Sequence, residues 1–258
     1  MKLLKLFSVM AMLAVVLFTS CVGDNETVEL YTDLPFVSDT YNGKVVVMTP
    51  VGRFYSNVLQ AEIPYSNTRG LITCQIAAAD NKDVEAQGYY NVSVFDISVI
   101  NDEGYVGYFS QTDTSQLSTS FGEEIALKQG VSSYEFDRLS YINNYLFITT
   151  SFTGMTNQKN YWQLYYNTEA SGKKEGKNVY SVFLRVNILD KGTTPNSDFN
   201  VIIPYDISNF AQIIEDQEKT AKNESYYLKV HYINQINDDG TFSWATAPYE
   251  IEFGVSEK

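Results

Sequence analysis

The sequence predicts an all-β fold: a small OB-like barrel followed by an antiparallel β-sandwich with one short helix. Three observations carry that reading. The chain of 258 residues holds 20 Tyr and 15 Phe, and aromatic side chains suit a pleated, half-buried surface. Apolar and polar residues alternate with period two, most clearly at Tyr180, Val182, Leu184, Val186 and Ile188 against Ser181, Arg185 and Asn187. Helical spacing is confined to one stretch, 206–222.

The N-terminus is an export signal. Lys2 and Lys5 are followed by an apolar run from Leu6 to Phe18, then by Thr19, Ser20 and Cys21. This is a lipobox with Phe18 in its apolar slot. It predicts cleavage after residue 20 and lipid on Cys21, a stable anchor because more than one acyl chain is attached. Residues 21–42, with Asp24, Glu26, Asp33, Pro35 and Asp39, read as a tether. Asn42-Gly43 is a turn in which both residues tolerate positive φ. The OB-like barrel is placed at 43–113. Its strands are Val45–Met48, Phe54–Ala61, Leu71–Ala77 and Tyr89–Ile100, and a change of phase near Val94-Phe95 predicts a bulge.

The small polar run Gln111 to Ser120 reads as a boundary. The sandwich follows at 121–258. Its strands include Tyr145–Phe152, Tyr161–Tyr166, Phe199–Ile203, Tyr227–Ile236 and the alternating run Tyr249, Ile251, Phe253 and Val255. Asp206 or Ser208 can cap the helix, which carries an apolar stripe of Phe210, Ile213, Ile214 and Ala221. Glu215–Lys219 and Glu218–Lys222 sit at ion-pair spacing. Such a helix would plug one end of the sandwich. The strand-to-turn pattern of 89–104, ending Asn101-Asp102-Glu103-Gly104, is echoed at 226–240, ending Asn237-Asp238-Asp239-Gly240.

Composition removes several function classes. A net charge of −13 opposes nucleic acid, whose phosphates demand Lys and Arg. With Cys21 assigned to lipid, Cys74 has no disulfide partner and reads as a buried core residue. There is one histidine, His231, and no Gly-x-Ser-x-Gly elbow, so a Ser-His-Asp triad has little to be built from. Zinc lacks ligands, and Gly172 and Gly176 lie in a Lys-rich turn with no helix behind it. No cofactor and no metal are expected. Asp102-Glu103 and Asp238-Asp239 sit beside glycines, where turns favour them.

Aromatic platforms remain. In Tyr161–Asn167, Trp162, Leu164 and Tyr166 share one face, and Tyr161, Gln163 and Tyr165 share the other. One face must be core, and the other can offer Tyr161, Gln163 and Tyr165 to a sugar or a peptide. Trp244, between Gly240 and Pro248, is a second candidate. The competing reading for each ring is packing in the core or over a hairpin.

Three segments resemble the NigD-like lipoproteins of anaerobic Gram-negative bacteria: Tyr145-Leu146-Phe147-Ile148, Val182-Phe183-Leu184-Arg185, and Val201-Ile202-Ile203-Pro204-Tyr205-Asp206-Ile207. The resemblance implies an OB-like barrel before a β-sandwich, and a self-immunity role suggested by a neighbouring bacteriocin gene. It carries over no catalytic residue. Asp24 and Glu26 resemble the acidic export signal of surface lipoproteins. The sequence thus predicts a non-enzymatic binding protein of the outer membrane, lipid-anchored and displayed at the cell surface. It would be immunity-like, or would bind a glycan or an envelope or extracellular protein. The alternatives are a glycoside hydrolase using two carboxylates and a structural surface subunit, which would need an exposed unpaired strand.

Overall fold

Strands dominate the computed structural model, which describes residues 27–63, 65–110, 122–128, 139–193 and 195–252. The signal, Cys21, Asp24, Glu26 and the linker 111–120 lie outside the described residues. Among these described residues, fourteen strands and three α-helices follow one another. In the first half they are β1 (Val28–Tyr41), β2 (Lys44–Thr49), β3 (Gly52–Tyr55), α1 (Asn57–Glu62), β4 (Arg69–Ala77), α2 (Val84–Gln87), β5 (Tyr90–Asn91), β6 (Ser93–Val99) and β7 (Tyr105–Tyr108). The second half holds β8 (Leu139–Ile142), β9 (Tyr145–Met155), β10 (Lys159–Lys174), β11 (Lys177–Asp190), β12 (Asn196–Asp206), α3 (Ser208–Thr220), β13 (Ser225–Ile236) and β14 (Phe242–Glu252).

The first six strands form one sheet in the order β5-β3-β2-β1-β4-β6, curled into a half-barrel around Phe36, Val47, Phe54, Leu59, Ile72 and Cys74. Residues 28–41 are therefore not tether. They form β1, a strand at the middle of this sheet, which buries Tyr31, Phe36 and Val37. A bulge between Tyr31 and Leu34, with Asp33 at φ 50°, breaks their alternation and disguises the strand. The bulge expected near Phe95 is present: Cys74 pairs with Val94 and Thr73 with Asp96. The expected strand 54–61 ends at Tyr55. Ser56 is extended (φ −157°, ψ 162°) and its hydroxyl accepts from the Leu59 N–H, so α1 starts there.

The second half packs a five-stranded sheet, β14-β13-β11-β10-β7, on a three-stranded sheet, β12-β9-β8. The five-stranded sheet is mixed, not antiparallel. The chain leaves β11, crosses to the other sheet as β12, and returns through α3, so β13 runs parallel to β11. The strand β7, expected in the barrel, pairs in parallel with β10 instead. Backbone hydrogen bonds join the two sheets at two places among the described residues. At the β7–β12 edge the Gly104 N–H donates to the Pro204 carbonyl, and the 122–128 segment bridges β13 and β9, with Leu127 and Lys128 donating to Ile233 and Ser151.

The core lies between the sheets: Leu146, Leu164, Val182, Leu184, Tyr205, Tyr226, Leu228 and Val230. The helix α3 adds Phe210, Ala211 and Ile214, while Ile213 faces out. Glu218 does not pair with Lys222. It is buried and accepts from Tyr180 Oη, Asn178 Nδ2 and Asn223 Nδ2. The expected Glu215–Lys219 pair is present at 3.3 Å. The two halves meet through Val37, Ile142 and Phe147, and through Arg69, whose Nη1 lies 2.8 Å from Glu103 and 3.2 Å from the Tyr145 hydroxyl.

Candidate functional site

Alternation along β10 turns Trp162, Leu164 and Tyr166 inward, as expected, and Tyr161, Gln163 and Tyr165 to the opposite face of the sheet. These three differ in what they offer. Tyr161 is 40% exposed and Tyr165 half-buried, whereas Gln163 is buried. Gln163 Nε2 donates to Asn187 Oδ1, and Gln163 Oε1 accepts from the Tyr165 hydroxyl at 2.6 Å. The amide that was expected to meet a ligand is committed inside the protein. Behind it, Arg185 Nε donates to Glu124 Oε1 at 2.5 Å, with both side chains buried. This polar layer positions the rings above it and fixes how strands and the 122–128 segment register.

Trp244 is elsewhere. It lies on β14, pairs with Ile233 and meets Phe242 edge-on at 6.5 Å. Three strand steps separate it from β10, roughly 14 Å at normal strand spacing. The structure does not bring it to Tyr161.

Residues that sequence reasoning missed complete the surface. Tyr105 on β7 is 48% exposed, and its ring centroid is 6.1 Å from those of both Tyr161 and Tyr165. The ring lies over Gly107, where a Cβ would stand 2.8 Å from it. Leu189 on β11, 67% exposed, falls at the register shift between the Asn160–Ile188 and Lys159–Asp190 pairs. Tyr105 and Tyr161 make a shallow aromatic patch. The signal for Tyr105 was present in the alternation of Tyr105, Gly107 and Phe109, but placing β7 in the other domain hid its neighbours.

Beyond Gly104, the other side of β7 is open among the described residues. It is the end strand of its sheet. In a parallel ladder alternate residues bond the same neighbour. Phe109 donates to Tyr166 on β10, while Gly104 donates to Pro204 on β12. Val106 and Tyr108 share the outward phase of Gly104. Beside them is a shallow pocket of about 300 Å³ lined by Glu103, Val106, Tyr166, Asp206 and Asn209. Asp206 Oδ1 accepts the Ser208 N–H at 2.9 Å, and Glu103 is held by Arg69. Tyr108, 60% exposed, meets the Tyr166 ring edge-on at 6.0 Å.

The nucleophile–base contact available is Ser181 Oγ to His231 Nε2, 3.1 Å. Ser181 is 2% exposed and also bonds Ser171, and His231 is stacked on Phe183 at 4.9 Å. That pair is packed, not presented to a substrate. Asp239 closes its own turn on Thr241, so the 238–239 pair is structural. Among the described residues no group of three or more His, Cys, Asp or Glu is placed to hold a metal ion. In the same residues no helix is long and apolar enough to cross a membrane. Cys74 is fully buried, and burial pushes its thiol up to about 12.

No protein-family model matches the chain, and no curated protein matches it in sequence. Solved structures do match its fold. An uncharacterised protein from Parabacteroides merdae is 16% identical with a TM-score of 0.70, over 85% of this chain and 98% of that one. A Bacteroides fragilis protein assigned to the lipoproteins is 12% identical with a TM-score of 0.52, over 89% of this chain and 100% of its own. The neighbours include a NigD-like immunity protein from Bacteroides caccae, 11% identical with a TM-score of 0.47, over 89% and 99% of the two chains. At these identities the likeness is one of fold.

Proposed function

We propose that this is a lipid-anchored envelope protein that works by binding another protein, and that the surface carrying Tyr105 and Tyr161 is its contact surface. The observation that carries the choice of ligand class is the internal pairing of Gln163 with Asn187 and Tyr165. A sugar platform needs free amides and hydroxyls beside the rings. Here the Gln163 amide beside the rings is used inside the protein, and exposed aromatic surface beside a sheet edge suits a protein partner. The lipobox at Cys21 and the fold shared with a protein assigned to the lipoproteins support an envelope location. An immunity role, implied by the sequence resemblance, would be one instance of such binding.

Purified lipoprotein tested against envelope polysaccharides separates the two ligand classes. The expected result is no retention that depends on Tyr161. Polysaccharide retention by the natural protein that is lost in Tyr161→Ala would overturn the reading in favour of a glycan.

A further inference from the structure

We infer that the open edge of β7 accepts an extended polypeptide segment as an added strand, and that this segment places a cationic side chain in the pocket beside Glu103 and Asp206. The inference rests on the protein-binding reading above and supplies its mode.

Sheet edges are hazards that chains guard with charge, proline, bulges or brevity. The other edges here are guarded. β6 carries the bulge at Phe95 and an exposed Asp96. β14 carries Pro248 and Glu250, β12 carries Pro204 and Asp198, and β5 is two residues long. β8 abuts β1 through Ile142 and Val37. β7, twice the length of β5 at four residues, reads Tyr105-Val106-Gly107-Tyr108, with no charge, no proline and no bulge, and its outward groups at Val106 and Tyr108 have no strand beside them among the described residues.

An added strand would alternate its side chains across the sheet. One set falls on the side of Tyr105 and Tyr161. The other falls on the side of Tyr108, Tyr166 and the pocket. Glu103 and Asp206 line that pocket, and each accepts from one protein donor at one oxygen, which leaves lone pairs on the other. Asp206 also offsets the positive end of α3 at Ser208. In a chain of net charge −13, the field draws cations and repels a second copy of itself.

The test is fluorescence anisotropy of the detergent-solubilised full chain with two labelled decapeptides. Both alternate valine and threonine; one has arginine at a central position and the other glutamate. The arginine peptide is expected to bind about tenfold tighter than its partner. Val106→Pro removes one outward N–H at an edge position that tolerates proline. It should weaken binding at least about tenfold with the thermal midpoint retained. Asp206→Asn keeps an oxygen to accept the Ser208 N–H and should erase the preference for arginine. An arginine peptide with alternate backbone amides methylated gives a check that leaves the protein unchanged, and it should not bind. Equal binding of the two peptides, binding by neither, or indifference to both Val106→Pro and backbone methylation would overturn the inference. If these fail while a partner protein still cross-links to position 161, strand addition falls and the contact surface stands.

Discussion

Glu218 shows how a single residue can be misread and still be informative. Spacing on α3 pointed to an exposed pair with Lys222, but the carboxylate turns inward to Tyr180, Asn178 and Asn223. Burial alone would push its carboxyl up. The three donors outweigh that and hold it below its ordinary 4.5. A carboxyl lowered in the fold contributes stability that is complete above its unfolded value and is lost as pH falls through its folded value. Thermal midpoints of Glu218→Gln and the natural protein should therefore differ at pH 7 and converge as pH falls well below 4.5. At neutral pH the variant should lose about 2 kcal/mol, because buried donors are left poorly paired. Cys74 permits a second residue-scale check. With its thiol fully buried and pushed up to about 12, it should not react with a thiol reagent until the chain is unfolded.

Elements were legible where alternation ran unbroken, and hidden where a local feature interrupted it. β10 and β11 were read with the correct faces because each keeps period two over its central residues. β1 was lost because a bulge and Asp33 break the pattern, and its acidic and proline residues imitate a tether. The helix α1 was read as strand because its six residues are too few to show a period; only Ser56 marked its start. Ser56→Ala should cost about 1 kcal/mol by thermal unfolding, with the sheet otherwise intact. Gly104 supports the larger element. Its hydrogen bond to Pro204 joins the two sheets, and a Cβ there would stand 1.9 Å from the Tyr205 ring. Gly104→Ala should lower the thermal midpoint well beyond the effect of Ser56→Ala, since the buried ring and the strand edge must both move.

At the scale of the molecule, alternation tells which side of a strand is buried but not which strand lies beside it. The all-β class could therefore be read, while the parallel pairings of β7 with β10 and β11 with β13 could not. The same limit governed the candidate site. Tyr161 was identified, but its companion Tyr105 comes from a strand whose neighbours only the fold reveals, and Gln163 proved to be internally paired. Because β7 completes the second half from the first, the division at 113 and 121 is not a clean cut. A fragment of residues 121–258 lacks β7, uncovers the hydrogen-bonding edge of β10, and should aggregate where the full mature chain does not. Light scattering of the two checks this.

The most direct test of the account is photo-cross-linking in intact cells of the natural host, with benzoylphenylalanine placed in turn at positions 105, 161 and 213. Position 213 is the exposed Ile213 on α3, away from the patch. The account predicts one discrete protein adduct at 105 and 161 and none at 213. No protein adduct at 105 or 161, or the same adducts from all three positions, would contradict it.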